Sequence, residues 1–314
     1  MNNDANILKL VEISRLYYER NLTQAEIAER MNISRPAVSK LLSEARIRGL
    51  VKIEIKSPLM SDESLLQELH STYGLKGGLI VPSGFADEEL TIQLLVSQAA
   101  LYFEKMLADV TKVGLGWGVT MGRLVDEMKN YSAYAHKTGY VCPVIGSAHN
   151  DIKWFQTNEI ARIFAEKTGF KTRYLHAPAF PGSLKNKELF ENTIEYQEIS
   201  KLWRCLDAVI LGAGTYPSVP DQATAARFGN LLRVKKAVGM IVAYYFDRDG
   251  NFIESKDDIA IRIPLEDLRR VERVFVIGAG ENKVNSIRGT LKTGLVTHLI
   301  TDDKTAQSLM QIQA

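Results

Sequence analysis

Apolar residues in the first fifty positions recur at helical spacing. Ile7, Leu8, Val11, Ile13 and Leu16 predict an amphipathic helix that ends near Asn21. Thr23-Gln24-Ala25-Glu26 has the spacing of a capping box, in which the threonine hydroxyl accepts from the Glu26 amide and the glutamate reaches back. A second helix is therefore predicted to about Met31, with Ile27 and Ala28 inward. Met31-Asn32-Ile33 reads as a tight turn, because asparagine enters the left-handed region cheaply. Ser34 caps a third helix, and Pro36 lies in its first turn, where no amide bond is lost. Val38, Leu41, Leu42 and Ala45 point inward from it, Arg35, Ser39, Lys40 and Arg46 outward, and Gly49 closes it. Residues 51–56 alternate apolar and charged, which predicts a short strand, either a small wing or a lead into the next module.

After Pro58 the pattern changes to helices and buried apolar runs in turn. Helices are predicted over residues 65–70, 90–107, 119–128, 160–167, 189–199, 283–291 and 304–310. Strands are predicted over 79–81, 112–115, 140–145, 172–175, 208–211, 238–246, 274–277 and 298–300. A further helix is expected before the 238–246 run, and Asp247-Arg248-Asp249-Gly250 reads as a hairpin turn. Such alternation predicts an α/β unit, a mostly parallel sheet wrapped by helices, with ligands held beyond the carboxyl ends of its strands. Proline cannot extend the ladder of the strand before it, so Ser57-Pro58 is the expected seam. The predicted organisation is an all-α helix-turn-helix domain over residues 1–56 and a larger α/β domain over 57–314.

Composition narrows this picture. The chain has 314 residues, 46% hydrophobic and 24% charged, which excludes overall disorder. Cys142 and Cys205 stand far apart with no Cys-x-x-Cys, so neither a disulfide framework nor a cysteine zinc site is indicated, and no metal or cofactor is called for. Apolar runs fall well short of the roughly 20 residues of a membrane-spanning helix. Met1-Asn2-Asn3-Asp4 lacks the basic start and apolar stretch of a secretion signal, so a cytoplasmic protein without a membrane partner is expected. The net charge of +2 argues against a polybasic protein, but the charge is uneven. Residues 30–56 carry seven basic and two acidic side chains, a net +5, which leaves −3 for the rest. A small basic unit joined to a mildly acidic body predicts two modules with different partners.

Two short helices joined by a three-residue turn, with small Ala28 where they approach, make a helix-turn-helix. In that motif the first residues of the second helix meet base edges in the major groove. The candidate DNA-binding residues are Thr23, Gln24, Ser34, Arg35, Ser39, Lys40 and Arg46. Arg35, Ser39 and Lys40 take the base-edge places, whereas Arg46 and Arg48 suit phosphates, which give affinity and salt dependence. The competing reading is a three-helix dimerisation bundle with a solvated basic face.

Three predicted strands end in glycines: Gly114-Leu115-Gly116-Trp117-Gly118-Val119-Thr120, Gly212-Ala213-Gly214-Thr215 and Gly278-Ala279-Gly280-Glu281-Asn282-Lys283. None is a dinucleotide fingerprint or a P-loop, since Val119, Pro217 and Lys283 stand where the third glycine would be. What they share is a backbone that a ligand can approach, with helix N-terminal amides aimed at it. Lys283 is the most telling residue, because a cation at a helix start is opposed by the macrodipole by about 0.3–1 kcal/mol. A phosphate, carboxylate or sugar hydroxyl would offset that cost, and so would a solvated pairing with Glu281. A Schiff-base role for Lys283 has no support in its neighbours. Gly146-Ser147 and the His176-Ala177-Pro178 segment also follow strands and are candidates for the same cleft. The candidate effector-binding residues are Gly116, Trp117, Gly118, Thr120, Gly146, Ser147, Gly214, Gly280 and Lys283; Trp117 could equally stack on a sugar face or sit in the core. His149, Asp151 and His176 lack spaced partners and read as structural or surface groups, so no residue is assigned a catalytic role.

Together with the helix-turn-helix from Leu22 to Leu50, the motifs Gly-Leu-Gly-Trp-Gly, Leu-His-Ala-Pro-Ala, Leu-Gly-Ala-Gly, Tyr-Phe-Asp-x-Asp-Gly, Gly-Ala-Gly-Glu-Asn-Lys and Leu-Ile-Thr-Asp-Asp resemble the SorC family of carbohydrate-responsive bacterial transcription regulators. The resemblance covers essentially the whole chain. It implies a sugar-binding domain related to phosphosugar isomerases and glucosamine-6-phosphate deaminase, a homo-oligomer (a tetramer), operator DNA as partner and a sugar or sugar-phosphate effector, with a sorbose-type sugar favoured. In those relatives the loop similar to residues 116–120 holds a phosphate through glycines and Ser/Thr, so Gly116, Gly118, Thr120, Gly280 and Lys283 carry over. The chain departs from the pattern twice. Val119 stands where a hydroxyl residue is frequent, and Met240 stands where many members have an aspartate facing the effector. The competing class is a phosphosugar isomerase fused to a DNA-binding domain, with Glu281 the candidate base; a DNA-binding scaffold with a vestigial pocket is a third.

Overall fold

The computed structural model describes residues 2–51, 63–84, 88–128, 139–148, 152–217 and 227–311, and the chain divides into two compact units, Met1–Pro58 and Leu59–Ala314. The first unit holds three helices, α1 (Asn2–Tyr18), α2 (Gln24–Arg30) and α3 (Arg35–Ile47). Both halves of the predicted capping box form: Thr23 Oγ1 accepts from the Glu26 amide at 3.3 Å, and Glu26 Oε2 accepts from the Thr23 amide at 2.7 Å. Ser34 Oγ accepts from the Ala37 amide at 3.4 Å and starts α3. Asn32 makes the turn at φ 50°, and Gly49 ends α3 at φ 70°. Leu10, Ile13, Ile27, Ala28, Val38, Leu42 and Ala45 are buried.

The start of the chain differs from the expectation in phase. The inward stripe of α1 runs through Leu10, Ile13 and Ser14, and Leu8, two residues off that stripe, is 69% exposed. The helix stops at Tyr18 rather than near Asn21, which instead turns the chain at φ 53°. Of the predicted strand over 51–56 only residue 51 lies within the described residues, and the Ser57-Pro58 seam lies outside them.

The second unit is a doubly wound α/β fold. Its sheet comprises β1 (Gly77–Val81), β2 (Lys112–Leu115), β3 (Tyr140–Pro143), β4 (Lys171–Thr172), β5 (Ala208–Gly212), β9 (Arg273–Ile277) and β10 (His298–Asp302). They lie in the order β1-β10-β9-β5-β2-β3-β4, every pair parallel. After Lys112 and Arg273 at the starts of β2 and β9, the central strands β2, β5 and β9 are apolar because both faces are covered, and successive residues serve opposite faces. Val209, Leu211, Val274 and Val276 pack with Ile199 and Trp203 of α9 (Ile194–Trp203) and with α12 (Val284–Lys292) and α13 (Asp303–Gln311). Ala208, Ile210, Phe275 and Ile277 pack on the other face with α5 (Glu88–Met106), α6 (Val119–Glu127) and α7 (Thr157–Thr168). The helix α4 (Glu63–Tyr73) joins the first face through Leu65 and Leu69. No helix among the described residues is long and apolar enough to cross a membrane.

Three predicted elements change on folding. The helix expected over 189–199 is two, α8 (Leu184–Glu191) and α9, because Thr193 accepts from the Tyr196 amide and opens a new helix. The strand expected over 172–175 shrinks to the edge strand β4, since the Leu175 amide donates to Asn158 Oδ1 at 2.9 Å instead of to a neighbouring strand. The run 238–246, read as one strand, is a hairpin of β7 (Gly239–Ile241) and β8 (Tyr244–Phe246). With β6 (Gly214–Thr215) it forms a small antiparallel sheet, preceded by the one-turn helix α10 (Leu231–Val234). The remaining short helix is α11 (Leu265–Leu268).

Candidate functional site

On the first unit, Arg35, Ser39, Lys40 and Arg46 of α3 are all exposed, as are Thr23 and Ser34 at the two helix starts. Val38, Leu42 and Ala45, on the other side of the same helix, anchor it. Thr23, Gln24 and Arg35 share a groove of about 750 Å³ with Tyr17, Tyr18 and Asn21. The groove therefore joins the start of α2 to the start of α3, with the exposed Arg35 among its lining residues. Arg48 pairs with Glu44 at 2.6 Å, which leaves Arg46 the freer of the two cations at the end of α3.

On the second unit, the three glycine-bearing strand ends are neighbours. β5 lies between β2 and β9, with Leu115 beside Ile210 and Gly212 beside Ile277. The chain winds outward from β2 through β3 to β4 and then returns to the other side of β2 as β5, so the β2/β5 boundary is the topological switch point where α/β sheets open a crevice. A cleft of about 260 Å³ lies there. Of the expected residues, Gly116, Trp117, Gly118, Thr120, Gly214 and Lys283 line it. Gly118 has φ 118°, a conformation that side chains resist, and no side chain caps α6 behind it. The first amides of α6 are thus left for a ligand.

Lys283 stands at the start of α12. Burial pushes its ammonium below the ordinary lysine range, and the carboxylate of Glu88 opposes that shift. Glu88, rather than Glu281, is the acid whose charge acts on it.

Three expected residues are not brought to the cleft. The Gly280 amide donates to Asp302 Oδ2 at 3.0 Å and to Thr305 Oγ1 at 2.9 Å, and Gly280 lines a neighbouring cavity with Glu88 and Glu281. Gly146 donates to the Ile261 carbonyl at 3.0 Å and is pressed against the backbone of residues 177–179, while the Ser147 hydroxyl lies 3.2 Å from Thr157 Oγ1. His176 is exposed and stacks on Tyr174; His149 and Asp151 lie outside the described residues. The cleft also takes in Thr215 of the second glycine loop and Met240, the departure noted above, and it adds residues that the sequence did not signal: Phe155 and the hairpin residues Val242 and Ala243. Phe155 sits on no predicted element but packs edge-on against Trp117 at 5.6 Å. Val242-Ala243 carries none of the glycine or asparagine that marks a two-residue hairpin turn. Val119 lines the cleft, 47% exposed, and Met240 packs opposite Gly214.

A basic helix-turn-helix, succeeded in the chain by a doubly wound sheet with a glycine-lined cleft at its switch point, is the organisation of a ligand-responsive DNA-binding regulator. Residues 57–311 match the family described as "Putative sugar-binding domain", and residues 12–48 match sigma-70, region 4. The chain is 31% identical over 307 residues to the deoxyribonucleoside regulator of Bacillus subtilis (strain 168), covering 96% of each. It is 27% identical over 328 residues to the sorbitol operon regulator of Klebsiella pneumoniae, covering 99% of this chain and 100% of that one. The crystal structure of the full-length Klebsiella pneumoniae sorbitol operon regulator SorC has a TM-score of 0.75 to it at 24% identity, covering 97% of this chain and 98% of that one. The chain belongs to the SorC family of transcription regulators with a sugar-binding domain.

Proposed function

We propose that this chain regulates a carbohydrate operon by binding operator DNA through α3 and a phosphorylated sugar through the cleft at the β2/β5 switch point. The observation that carries the sugar half is the meeting, in one 260 Å³ cleft, of the uncapped start of α6, Thr120 and the half-buried ammonium of Lys283. A phosphate answers both, accepting from the amides and pairing with Lys283. In the DNA half, Arg35, Ser39 and Lys40 read base edges, Arg46 contacts phosphate, and Thr23, Gln24 and Ser34 at the helix starts complete the DNA-binding face. Effector binding acts by preferring one arrangement of a homo-oligomer, a tetramer, over another, which changes the operator affinity or spacing the chain can reach. Operator DNA sets its working place in the cytoplasm.

The lining also bears on the effector's identity. Apart from the indole N–H of Trp117, Thr120, Thr215 and Lys283 are the only polar side chains among the described residues of the cleft, set against Val119, Phe155, Leu211, Met240 and Val242. A sugar rich in hydroxyls would leave several without partners, at about 1–3 kcal/mol each. The 27% identical relative is named for a sorbitol operon, and the 31% identical relative is named for deoxyribonucleosides. A hydroxyl-poor sugar phosphate is the second reading, and Met240 opposite Gly214 favours it. A fused isomerase is the class these observations count against: the acid expected for proton transfer, Glu281, lines the neighbouring cavity, and the relatives bear regulators' names.

A thermal-shift panel of sorbose, sorbose 1-phosphate, 2-deoxyribose and 2-deoxyribose 5-phosphate tests the reading. A ligand at a hundred times its Kd stabilises the native state by about 2.7 kcal/mol, so one phosphorylated member is expected to raise Tm clearly over its free sugar. That member should also change operator binding in a gel shift. If no phosphorylated sugar does both, the reading fails.

A further inference from the structure

The Val242-Ala243 turn is the least comfortable wall of the cleft. These two residues alone join β7 to β8, with Ile241 paired to Tyr244, and both have positive φ, 50° and 58°. That is the geometry of a type I′ turn, which chains ordinarily build from Asn-Gly or Gly-Gly. A β-branched valine at such a φ is strained, and strain of this kind persists only where the surroundings over-determine it.

Three charged side chains behind the turn do so. The Ala243 carbonyl accepts from Arg227 Nη2 at 3.4 Å and also from Arg262 Nη1. Asp258 holds both arginines: Oδ1 accepts from Arg227 Nε at 2.9 Å and Nη2 at 2.7 Å, and Oδ2 accepts from Arg262 Nη2 at 2.6 Å. The side chains of Arg227, Arg262 and Asp258 are 1%, 8% and 13% exposed. Rings fix the guanidinium planes, Phe180 lying 4.3 Å from Arg227 and Tyr244 3.3 Å from Arg262. Phe180 in turn packs against Trp117, a lining residue of the cleft. Buried charges of this number are a poor way to gain stability, since apolar residues of like volume commonly do as well. Two guanidinium groups converging on the carbonyl of one strained residue point instead to control of that residue's conformation.

We propose that Asp258, Arg227 and Arg262 form a positioning clamp, which holds the Val242-Ala243 turn left-handed so that the cleft offers its effector a fixed apolar wall. None of the three lines the cleft; they act through the Ala243 carbonyl. The effector part of this inference rests on the function proposed above, whereas the clamp itself can be tested without any ligand.

Hydrogen–deuterium exchange on the full chain reads the turn directly. Asp258→Asn is expected to speed exchange in peptides covering residues 239–246 while those covering α5 and α6 keep their protection. Val242→Asn combined with Ala243→Gly, which favours the type I′ turn by its own backbone, should restore protection in the Asp258→Asn background. Unchanged exchange at the turn overturns the clamp, and so does a loss spread over the whole unit that the turn substitutions fail to restore. Should Asp258→Asn not fold, Arg262→Lys keeps the charge but gives up the planar fork, and the same comparison applies. Titration with sorbose 1-phosphate and 2-deoxyribose 5-phosphate supplies the second readout. If loosening leaves the turn competent a tenth of the time, the apparent affinity falls about tenfold. Wild-type affinity in Asp258→Asn overturns the positioning role. Should neither sugar phosphate bind the wild-type chain, the effector reading fails and the exchange data still decide the clamp.

Discussion

Lys283 shows how one residue links sequence, burial and function. A lysine at a helix start is opposed by the dipole, and burial at the cleft makes its charge costlier still, with the carboxylate of Glu88 acting against that cost. Lys283→Ala should therefore abolish the response of operator binding to a sugar phosphate and leave operator binding itself intact. A gel-shift titration checks this, and undiminished sugar sensitivity would sink the assignment. The exposed side of α3 divides in the same way. On the proposed docking, in which Arg35 meets a base edge and Arg46 a phosphate, Arg35→Ala is expected to cost about 1–3 kcal/mol of operator affinity, whereas Arg46→Ala should lower the slope of log K against log salt by about 1. Equal salt slopes for the two variants would show that α3 is docked otherwise. Lys283 was legible in the sequence because a cation at a helix start is anomalous. The turning away of Gly280 was not, because the groups that take its amide, Asp302 and Thr305, lie 22 and 25 residues further along the chain.

At the scale of elements, local chemistry was readable wherever it acted within a few residues. Thr23 with Glu26, Ser34 with Pro36, and Asn32 each decide a helix boundary from side chains adjacent to it, and those boundaries came out as expected. Thr23→Ala should accordingly cost about 1 kcal/mol at the start of α2, about fivefold faster exchange of its first amides. Exchange confined to wild-type rates would mean that Glu26 alone holds the cap. The hairpin at Val242-Ala243 and the break before Thr193 were missed for the opposite reason. The first is imposed by Arg227 and Arg262 from elsewhere in the chain, against the preference of valine. The second has a good cap, but it sits inside an apolar pattern that continues across it. Adjacency of the three glycine loops belongs to the same class: each loop was visible singly, while the placing of β5 between β2 and β9 is a property of the winding.

Whole-molecule stability brings in a group that neither site uses. His298 on β10 is buried, tilted against Phe275 at 4.5 Å, with Nδ1 2.8 Å from the Thr297 hydroxyl. Burial pushes its pKa down to about 4, helped by the nearby cations Arg273 and Lys76 and by His70. The unfolded chain takes up this proton near pH 6.5, and the folded chain waits until about pH 4. Between those values the unfolded state binds more protons, so stability falls as the pH falls through the window and levels off for this group below it. Asp207, Asp247 and Asp258 are held below their ordinary value of 3.8, so their stabilisation is present above that pH and is lost only further down. The two contributions are thus separated along the pH axis. Urea midpoints at pH 7, 5.5 and 4 should decline steadily for the wild-type chain, and His298→Gln should flatten that decline while leaving the loss below pH 4. A His298→Gln profile parallel to wild type across the window would show that the imidazole is protonated in the fold, and that the cationic surroundings of β10 are screened by solvent reaching the ring.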